Sequence, residues 1–207
     1  MKLALLGGTG RTGRLLIDQA LERGDTLTAL ARDPAKLHRR HPRLIAVHGD
    51  ARDAAVYPEL LRGADAVLSV LGPVAGGAPD VMTLAAQHLI ALQAALGVPR
   101  VVTLTGAGVA HPGDTPTLLD RFIRTMLRLT QPAVLEDATR HADLMRASSL
   151  AWTLLRVPRL TDGPIREVRV GRVGTIRPFI TRASTAHALL NALEDPNMLR
   201  QAPAISN

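Results

Sequence analysis

Four glycines near the N-terminus have the spacing of a turn that binds a dinucleotide. They lie in the segment 7–13, Gly-Gly-Thr-Gly-Arg-Thr-Gly, which follows a short apolar run at 3–6. In such a turn one glycine lets the chain bend without a Cβ clash, a second lets the backbone approach a pyrophosphate, and a third lets the next helix pack closely. The first N–H groups of that helix then face the phosphates at the positive end of the helix dipole. The alternative is a tight turn without a ligand. The residues predicted to hold the pyrophosphate are Gly7, Gly8, Thr9, Gly10, Arg11, Thr12 and Gly13.

An arginine lies where a carboxylate would select NAD. Arg32 stands 19 positions after Gly13, at the end of the second apolar run. A carboxylate at this point binds the ribose 2′-hydroxyl, whereas an arginine suits a 2′-phosphate. Arg11 is a second cation that could reach the same phosphate, and Asp33 is explained by capping a short helix that begins at Pro34. The sequence therefore predicts NADP(H) in preference to NAD(H), with a solvated surface charge as the alternative interpretation of Arg32.

Short apolar runs alternate with helical patterns along the rest of the chain. The predicted strands are 3–6, 26–31, 44–47, 66–71, 101–105 and 152–155, and a half-exposed strand is predicted at 165–170. The predicted helices follow the glycine turn as far as Gly24 and then cover 79–96, 118–129, 133–147 and 184–193. Uninterrupted apolar strands joined by helices imply a parallel sheet that helices cover on both faces.

These elements predict an α/β fold, namely a single doubly wound Rossmann-type domain with a mostly parallel sheet. A length of 207 residues fits one compact domain rather than two, so the domain is expected to span residues 1–207. The substrate region is expected in its C-terminal part, at about 106–180.

The composition excludes several kinds of site. The chain has no cysteine, which rules out disulfides, thiolate metal sites and cysteine nucleophiles and points to a reducing cytoplasm. The scattered histidines predict no metal site, and the absence of a Gly-x-Ser-x-Gly elbow leaves acyl hydrolysis without a nucleophile. The opening apolar run stops at Gly7, too early for a signal peptide, and no segment reads as a membrane span, so no membrane partner is expected.

The net charge of +7 comes almost entirely from arginine, because the only lysines are Lys2 and Lys36. A basic balance is compatible with nucleic acid, a membrane surface or small phosphorylated ligands. Few aromatic residues are present, which argues against a base-stacking surface. The densest basic run, 38–43, is best explained as a solvated connection, with nucleic-acid contact as the minority interpretation.

Taken together, the motifs resemble the atypical short-chain dehydrogenase/reductase group, specifically small NAD(P)H-binding proteins similar to biliverdin reductase B (flavin reductase) and the NmrA-like regulators. The likeness covers nearly the whole chain. The segments that carry it are 7–13, Ala31-Arg32-Asp33-Pro34, Gly49-Asp50-Ala51, Leu71-Gly72, Trp152 to Pro158 and Phe179 to Ala183.

The resemblance implies further cofactor contacts and two candidate functions. It implies Asp50 and Ala51 beside the adenine, and a nicotinamide end lined by Leu71, Gly72, Thr105, Gly106 and Pro158. The leading hypothesis is an NADPH-dependent oxidoreductase that reduces a small acceptor such as a flavin or quinone by hydride transfer. The alternative is an NmrA-like sensor that binds NADP(H) without catalysis and passes the signal to a protein partner.

The chain departs from the conventional reductases of this group in its catalytic residues. Those enzymes use a tyrosine with a lysine four residues later, but the only tyrosine here is Tyr57, which Leu61 follows at that spacing. Gly106 stands where the biliverdin reductase B type commonly has serine, so a hydroxyl role falls to Thr105, with a structural threonine as the alternative. His141 is a candidate general acid, with an exposed helical histidine as the alternative. For a flavin or quinone, solvent could supply the proton.

Overall fold

The computed structural model describes residues 1–73, 77–97 and 100–207. The strands are β1 (Lys2–Leu6), β2 (Thr26–Ala31), β3 (Leu44–His48), β4 (Ala66–Ser69), β5 (Arg100–Gly106), β6 (Ala151–Val157), β7 (Arg159–Thr161), β8 (Arg169–Gly171), β9 (Phe179–Thr181) and β10 (Ala204–Ser206). The helices are α1 (Arg11–Glu22), α2 (Tyr57–Leu60), α3 (Val81–Leu96), α4 (Leu118–Thr130), α5 (Pro132–Ala147) and α6 (Arg182–Glu194).

An eight-stranded sheet with the order β3-β2-β1-β4-β5-β6-β10-β8 forms the centre of the molecule. Its strands are parallel except β8, which runs antiparallel to β10. β7 and β9 form a separate two-stranded parallel sheet. The strand order reverses between β1 and β4, and this reversal opens a crevice outside the carboxyl ends of the strands.

Alternating side chains of the strands build two separate cores, one on each face of the sheet. In β1, Ala4 and Leu6 pack with residues of α2, α3 and α5, while Leu3 and Leu5 pack with residues of α1 and α6. Both sets are almost fully buried, which explains why the strands read as uninterrupted apolar runs. The predicted doubly wound Rossmann-type fold is confirmed.

The structure differs from the sequence-based strands in three places. The strand at 44–47 forms as β3, but it is an edge strand, and Ile45 and Ala46 are exposed rather than covered by helices. β4 ends at Ser69, two residues before the predicted end at 71. The predicted strand at 165–170 is formed only from Arg169 onward, because its partner β10 pairs with residues 169–171 alone. Three-residue strands such as β7 and β9 were not predicted, because they are too short to show a period.

Among the described residues, no helix has both the length and the apolar character needed to cross a membrane.

Candidate functional site

The glycine turn joins β1 to α1 and packs against the end of β4. Gly7 has a φ of 87°, a left-handed value that favours glycine, and its carbonyl oxygen accepts the N–H of Gly10 at 3.1 Å. A Cβ on Gly7 would lie 2.9 Å from the backbone of Val70. A Cβ on Gly13 would lie 2.8 Å from the Cα of Gly8 and closer still to the carbonyl oxygen of Gly7. Gly13 therefore lets the helix pack on the turn itself rather than on the sheet.

Gly10 lies on the open side of this turn. It is exposed, and a Cβ there would meet only the carbonyl oxygen of Gly7, at 3.3 Å, among the described atoms. It occupies the N-cap of α1 without a side chain that could bond to the first N–H groups, and the first turn contains no acidic residue. Free N–H groups, a positive dipole end and open space fit a pyrophosphate.

Arg32 follows β2 and is exposed beside the segment after β3. The N–H of Gly49 donates to the carbonyl oxygen of Ala31 at 3.1 Å, which brings Asp50 close to Arg32. Asp50 pairs instead with Arg52, whose Nη2 lies 3.0 Å from a carboxylate oxygen. This hydrogen bond holds the pKa of Asp50 below its usual value, and the charge of Arg32 adds to the effect. Within the described ranges Arg32 itself forms no ion pair.

The carboxylate of Asp50 is bound by its neighbour Arg52. The place of Asp50 beside an adenine stays a prediction. Ala51 beside Asp50 is buried, and its carbonyl oxygen accepts the hydroxyl of Tyr57 at 2.7 Å. Burial raises the pKa of Tyr57. The only tyrosine of the chain thus has a structural contact at the β3 end of the crevice.

Arg11 contacts an acid that lies far away in the sequence. Its guanidinium pairs with Asp162, which also accepts a hydrogen bond from Nη1 of Arg182 at 2.8 Å. The contact ties the glycine turn to the segment after β7 and to the start of α6. Sequence reasoning missed it because 151 residues separate Arg11 from Asp162 and no local pattern links them.

Leu71 and Gly72 follow β4 and lie beside the glycine turn. The N–H of Val70 donates to the carbonyl oxygen of Leu6 at 3.0 Å, which extends the pairing of β4 with β1 to this point. A Cβ on Gly7 would lie 3.1 Å from the backbone nitrogen of Leu71. The chain continues from here into residues 74–76, which lie outside the described ranges.

Gly106 and Pro158 lie at the ends of the adjacent strands β5 and β6. Gly106 is paired with Val157, and the N–H of Ala107 donates to the carbonyl oxygen of Val157 at 2.7 Å, directly before Pro158. The candidate cofactor residues from Gly7 to Pro158 therefore lie along one edge of the sheet, at the carboxyl ends of six neighbouring strands.

A cavity of about 380 Å³ lies between these strand ends and α4. This volume is in the range of sites for small organic ligands. Its larger apolar side chains are Ile123, Leu127, Val157, Pro158, Val173 and Ile176. Its charged side chains are Asp114, Asp120, Arg121, Arg124, Arg159 and Arg177, so arginine predominates.

A buried ion pair holds one wall of this cavity. Arg156 is 1% exposed and donates to the two carboxylate oxygens of Asp114 at 2.6 and 2.8 Å. Asp114 also accepts the N–H groups of His111 and Val173. Burial acts to raise the pKa of Asp114, but the hydrogen bonds from Arg156 and these N–H groups outweigh it and lower the pKa. The pair thus fixes to β6 the two cavity-lining segments that contain Asp114 and Val173.

A second cavity, of about 530 Å³, lies between the segment 165–170 and α6. Ile165, Val168, His187 and Asn191 line it. It shares no residue with the glycine turn or with the strand ends that carry the candidate cofactor residues. We therefore place the candidate site at the smaller cavity.

The sequence suggests roles in the site for Thr105 and His141, but neither side chain faces the crevice. Thr105 is buried, and its hydroxyl is directed at the carbonyl oxygen of Ala138 in α5, 3.4 Å away. His141 is also buried, with Nδ1 3.2 Å from the carbonyl oxygen of Met82 and Nε2 3.2 Å from Oγ1 of Thr103. Since a carbonyl can only accept, Nδ1 carries the proton and Nε2 accepts from the threonine hydroxyl. Thr105 thus joins β5 to α5, and His141 joins α5 to α3 and β5.

Burial lowers the pKa of His141 to about 4, against a weaker opposing effect of its hydrogen bond to Met82. The imidazole is therefore neutral at neutral pH, and we assign it no proton transfer there. The buried, neutral His141 differs from both expectations, the general acid and the exposed histidine. Burial is possible because each ring nitrogen has a hydrogen-bond partner.

We expect His141 to make the protein less stable as the pH falls. Between about pH 6.5 and pH 4 the unfolded chain binds a proton at this site and the folded chain does not, so the free energy of unfolding falls by up to about 1.4 kcal/mol per pH unit. Urea denaturation at several pH values measures this slope. The variant His141→Gln should lose the contribution, while His48→Gln, at an exposed position, should keep it. Equal slopes for all three proteins would contradict the assignment.

Comparison with known proteins identifies the family of this chain. A family model described as NAD(P)H-binding matches residues 7–196. The oxidoreductase stcQ of Emericella nidulans is 33% identical over 143 residues, which are 59% of this chain and 52% of that protein, so the chain spans about half the length of this relative.

Solved structures share the whole fold at low sequence identity. ChuY, an anaerobillin reductase from Escherichia coli O157:H7, matches with a TM-score of 0.79 and 20% identity over 100% of this chain and 97% of its own. A short-chain dehydrogenase/reductase from Veillonella parvula in complex with NADP matches with a TM-score of 0.79 and 17% identity over 100% and 94%. These likenesses show a common Rossmann fold. Since the family model covers most of the sequence, including the glycine turn, the chain belongs to the NAD(P)H-binding family.

Proposed function

We propose that this protein is an NADPH-dependent reductase that transfers hydride to a small aromatic acceptor such as a flavin or quinone. The observation that carries the proposal is the largely apolar cavity at the ends of β5 and β6. Gly106 and Pro158 line it, and the family resemblance implies these same residues at the nicotinamide end. The proposed acceptor region thus lies within the segment expected from the sequence, 106–180.

The cavity suits a flat acceptor that carries oxygen atoms. Apolar side chains such as Leu127 and Val157 can pack against a ring, and Arg159 and Arg177 can donate to carbonyl or phosphate oxygens. The cofactor supplies the hydride, and these residues hold the acceptor so that the reacting atoms lie about 3–3.5 Å apart. The neighbour ChuY is named an anaerobillin reductase and the relative stcQ an oxidoreductase, and both names agree with this chemistry.

NADP(H) is the cofactor that we propose. The exposed guanidinium of Arg32, at the end of β2, supports this preference because it has no carboxylate partner of its own among the described residues. The Veillonella parvula neighbour binds NADP, which agrees with it. With no cysteine in the chain, the reducing cytoplasm is the proposed location.

Solvent is the proposed source of the proton. The hydroxyl groups of Tyr57 and Thr105 are directed at backbone carbonyl oxygens, and His141 is buried and neutral. A flavin or quinone accepts hydride at one atom and can take its proton from water. This acceptor class therefore fits a site without the tyrosine and lysine of conventional short-chain reductases.

Loss of NADPH absorbance in the presence of FMN, dichlorophenolindophenol or a soluble quinone tests the proposal. We expect turnover with at least one of them. Ala110 is exposed and lines the cavity, so Ala110→Trp should lower kcat/KM for the acceptor by about tenfold or more while leaving the NADPH Kd unchanged. Ala133→Trp, at an exposed position outside the cavity lining, is the matched control and should behave as the wild type.

NADPH binding without turnover across a broad panel of acceptors would contradict the reductase. That result would instead favour an NmrA-like sensor with a protein partner.

A further inference from the structure

The outer face of α4 exposes large apolar side chains. We define this face by Leu118, Leu119, Phe122, Met126 and Leu129. Leu118 is 83% exposed, Leu129 71% and Phe122 59%, and no residue of the helix is buried. A surface helix normally turns such a stripe toward the core. Exposed contiguous apolar surface marks a contact with something outside the chain.

The helix is held at its N-terminus by a complete capping box. The N–H of Asp120 donates to Oγ1 of Thr117 at 3.2 Å, and the carboxylate of Asp120 accepts the N–H of Thr117 at 2.8 Å. This reciprocal pair stabilises the first turn without help from core packing. It also occupies Asp120, the only carboxylate in α4.

The polar side of α4 carries unpaired cations. Arg121, Arg124 and Arg128 recur at a spacing of three and four residues and are exposed, and Arg121 and Arg124 also reach the rim of the cavity described above. In the part of the chain that the structure describes, none of the three forms an ion pair. The helix thus combines an apolar face with a row of free positive charges, which is the pattern of a helix that lies in a membrane interface.

Charge decides between the two simplest occupants of this face. A second copy of the chain would bring another net charge of +7 toward the contact. An anionic lipid surface offers acyl chains to the apolar face and negative headgroups to the arginines. We propose that α4 attaches this protein to anionic membrane surfaces, lying in the interface without crossing the bilayer.

This proposal replaces the expectation from the sequence that no membrane takes part. The pattern at 118–129 predicts a helix, and the structure leaves the apolar side of that helix uncovered. The inference does not depend on the proposed reductase activity, because binding to lipid can be measured without cofactor or acceptor.

Co-sedimentation of the full chain with lipid vesicles tests the proposal. Vesicles of phosphatidylcholine mixed with phosphatidylglycerol are compared with vesicles of phosphatidylcholine alone, at low and at high salt. We expect binding to the anionic vesicles only, weakened by salt. The double variant Phe122→Ser/Leu129→Ser should lower the partition coefficient about tenfold or more, and Arg128→Gln should lower it about fivefold.

Matched variants elsewhere on the surface control for folding and total charge. Leu199→Ser replaces another exposed leucine, and Arg62→Gln replaces another exposed arginine. Both should bind as the wild type does, and circular dichroism should show every variant to be folded.

Three outcomes would overturn the proposal. One is no binding of the wild type to anionic vesicles at low salt. Another is binding that Phe122→Ser/Leu129→Ser leaves unchanged, since this would be adsorption through net charge alone. The last is a wild-type dimer in analytical ultracentrifugation that the double variant converts to a monomer, which would assign the face to a second copy.

Discussion

Replacing Gly13 by alanine is expected to destabilise the protein by more than about 3 kcal/mol and to abolish measurable NADPH binding. The new Cβ would lie 2.8 Å from the Cα of Gly8 and even closer to the carbonyl oxygen of Gly7, and both are backbone atoms. That carbonyl also accepts the N–H of Gly10, so it cannot turn away without breaking the turn. The helix α1 must move instead, and its first N–H groups leave the proposed pyrophosphate position.

The variant Gly10→Ala separates the loss of packing from the loss of binding. Its Cβ meets only the carbonyl oxygen of Gly7 among the described atoms, at 3.3 Å, and lies on the open side of the turn. We expect it to change stability by no more than about 1 kcal/mol while weakening NADPH binding about tenfold or more. Calorimetry gives the Tm, and fluorescence titration gives the Kd. A Gly13→Ala protein that melts with the wild type would contradict the packing argument.

Replacing Arg32 by alanine is expected to weaken NADPH binding by about 10- to 150-fold, because a charge-assisted hydrogen bond is worth roughly 1.5–3 kcal/mol. NADH lacks the 2′-phosphate, so its Kd should not change. Titration of both cofactors measures the ratio. The variant should keep its Tm, since Arg32 is exposed and lies outside the ion pairs of the described chain.

Arg11→Ala is the informative comparison for Arg32. Arg11 is the other cation that the sequence offered to the 2′-phosphate, but its guanidinium is paired with Asp162. We expect a smaller change in the ratio of NADPH to NADH dissociation constants than for Arg32→Ala. If Arg32→Ala leaves this ratio unchanged, the preference for NADP does not come from Arg32.

Local sequence patterns predicted the nucleotide half of the fold closely. Residues 26–31 form a strand with the predicted bounds, and the apolar run at 3–6 is lengthened only by Lys2. Gly24 follows the end of α1 with a φ of 95°, and Asp33 accepts the N–H of Ala35 at 3.1 Å. These features depend on neighbours in the chain, and residue type and spacing are therefore enough to identify them.

Contacts between distant segments were not predictable in the same way. The pairing of Asp114 with Arg156, and of Asp162 with Arg11, joins residues whose sequence surroundings contain no sign of a partner. His141 illustrates the same limit, since its burial depends on Thr103 in β5 and on the carbonyl oxygen of Met82 in α3. A helical pattern predicted α4, but it could not tell whether the apolar side of that helix would meet a core.

The position of β10 has a consequence for the order in which the sheet can form. β10 follows every other strand in the chain, yet it lies between β6 and β8. β8 joins the sheet only through β10, and Val173, which lines the cavity, follows β8 by two residues. This part of the cavity wall can therefore be fixed only after residues 204–206 have paired. On a ribosome, β1 to β6 emerge first and can pair, so we expect the nucleotide half to be structured before the acceptor half closes.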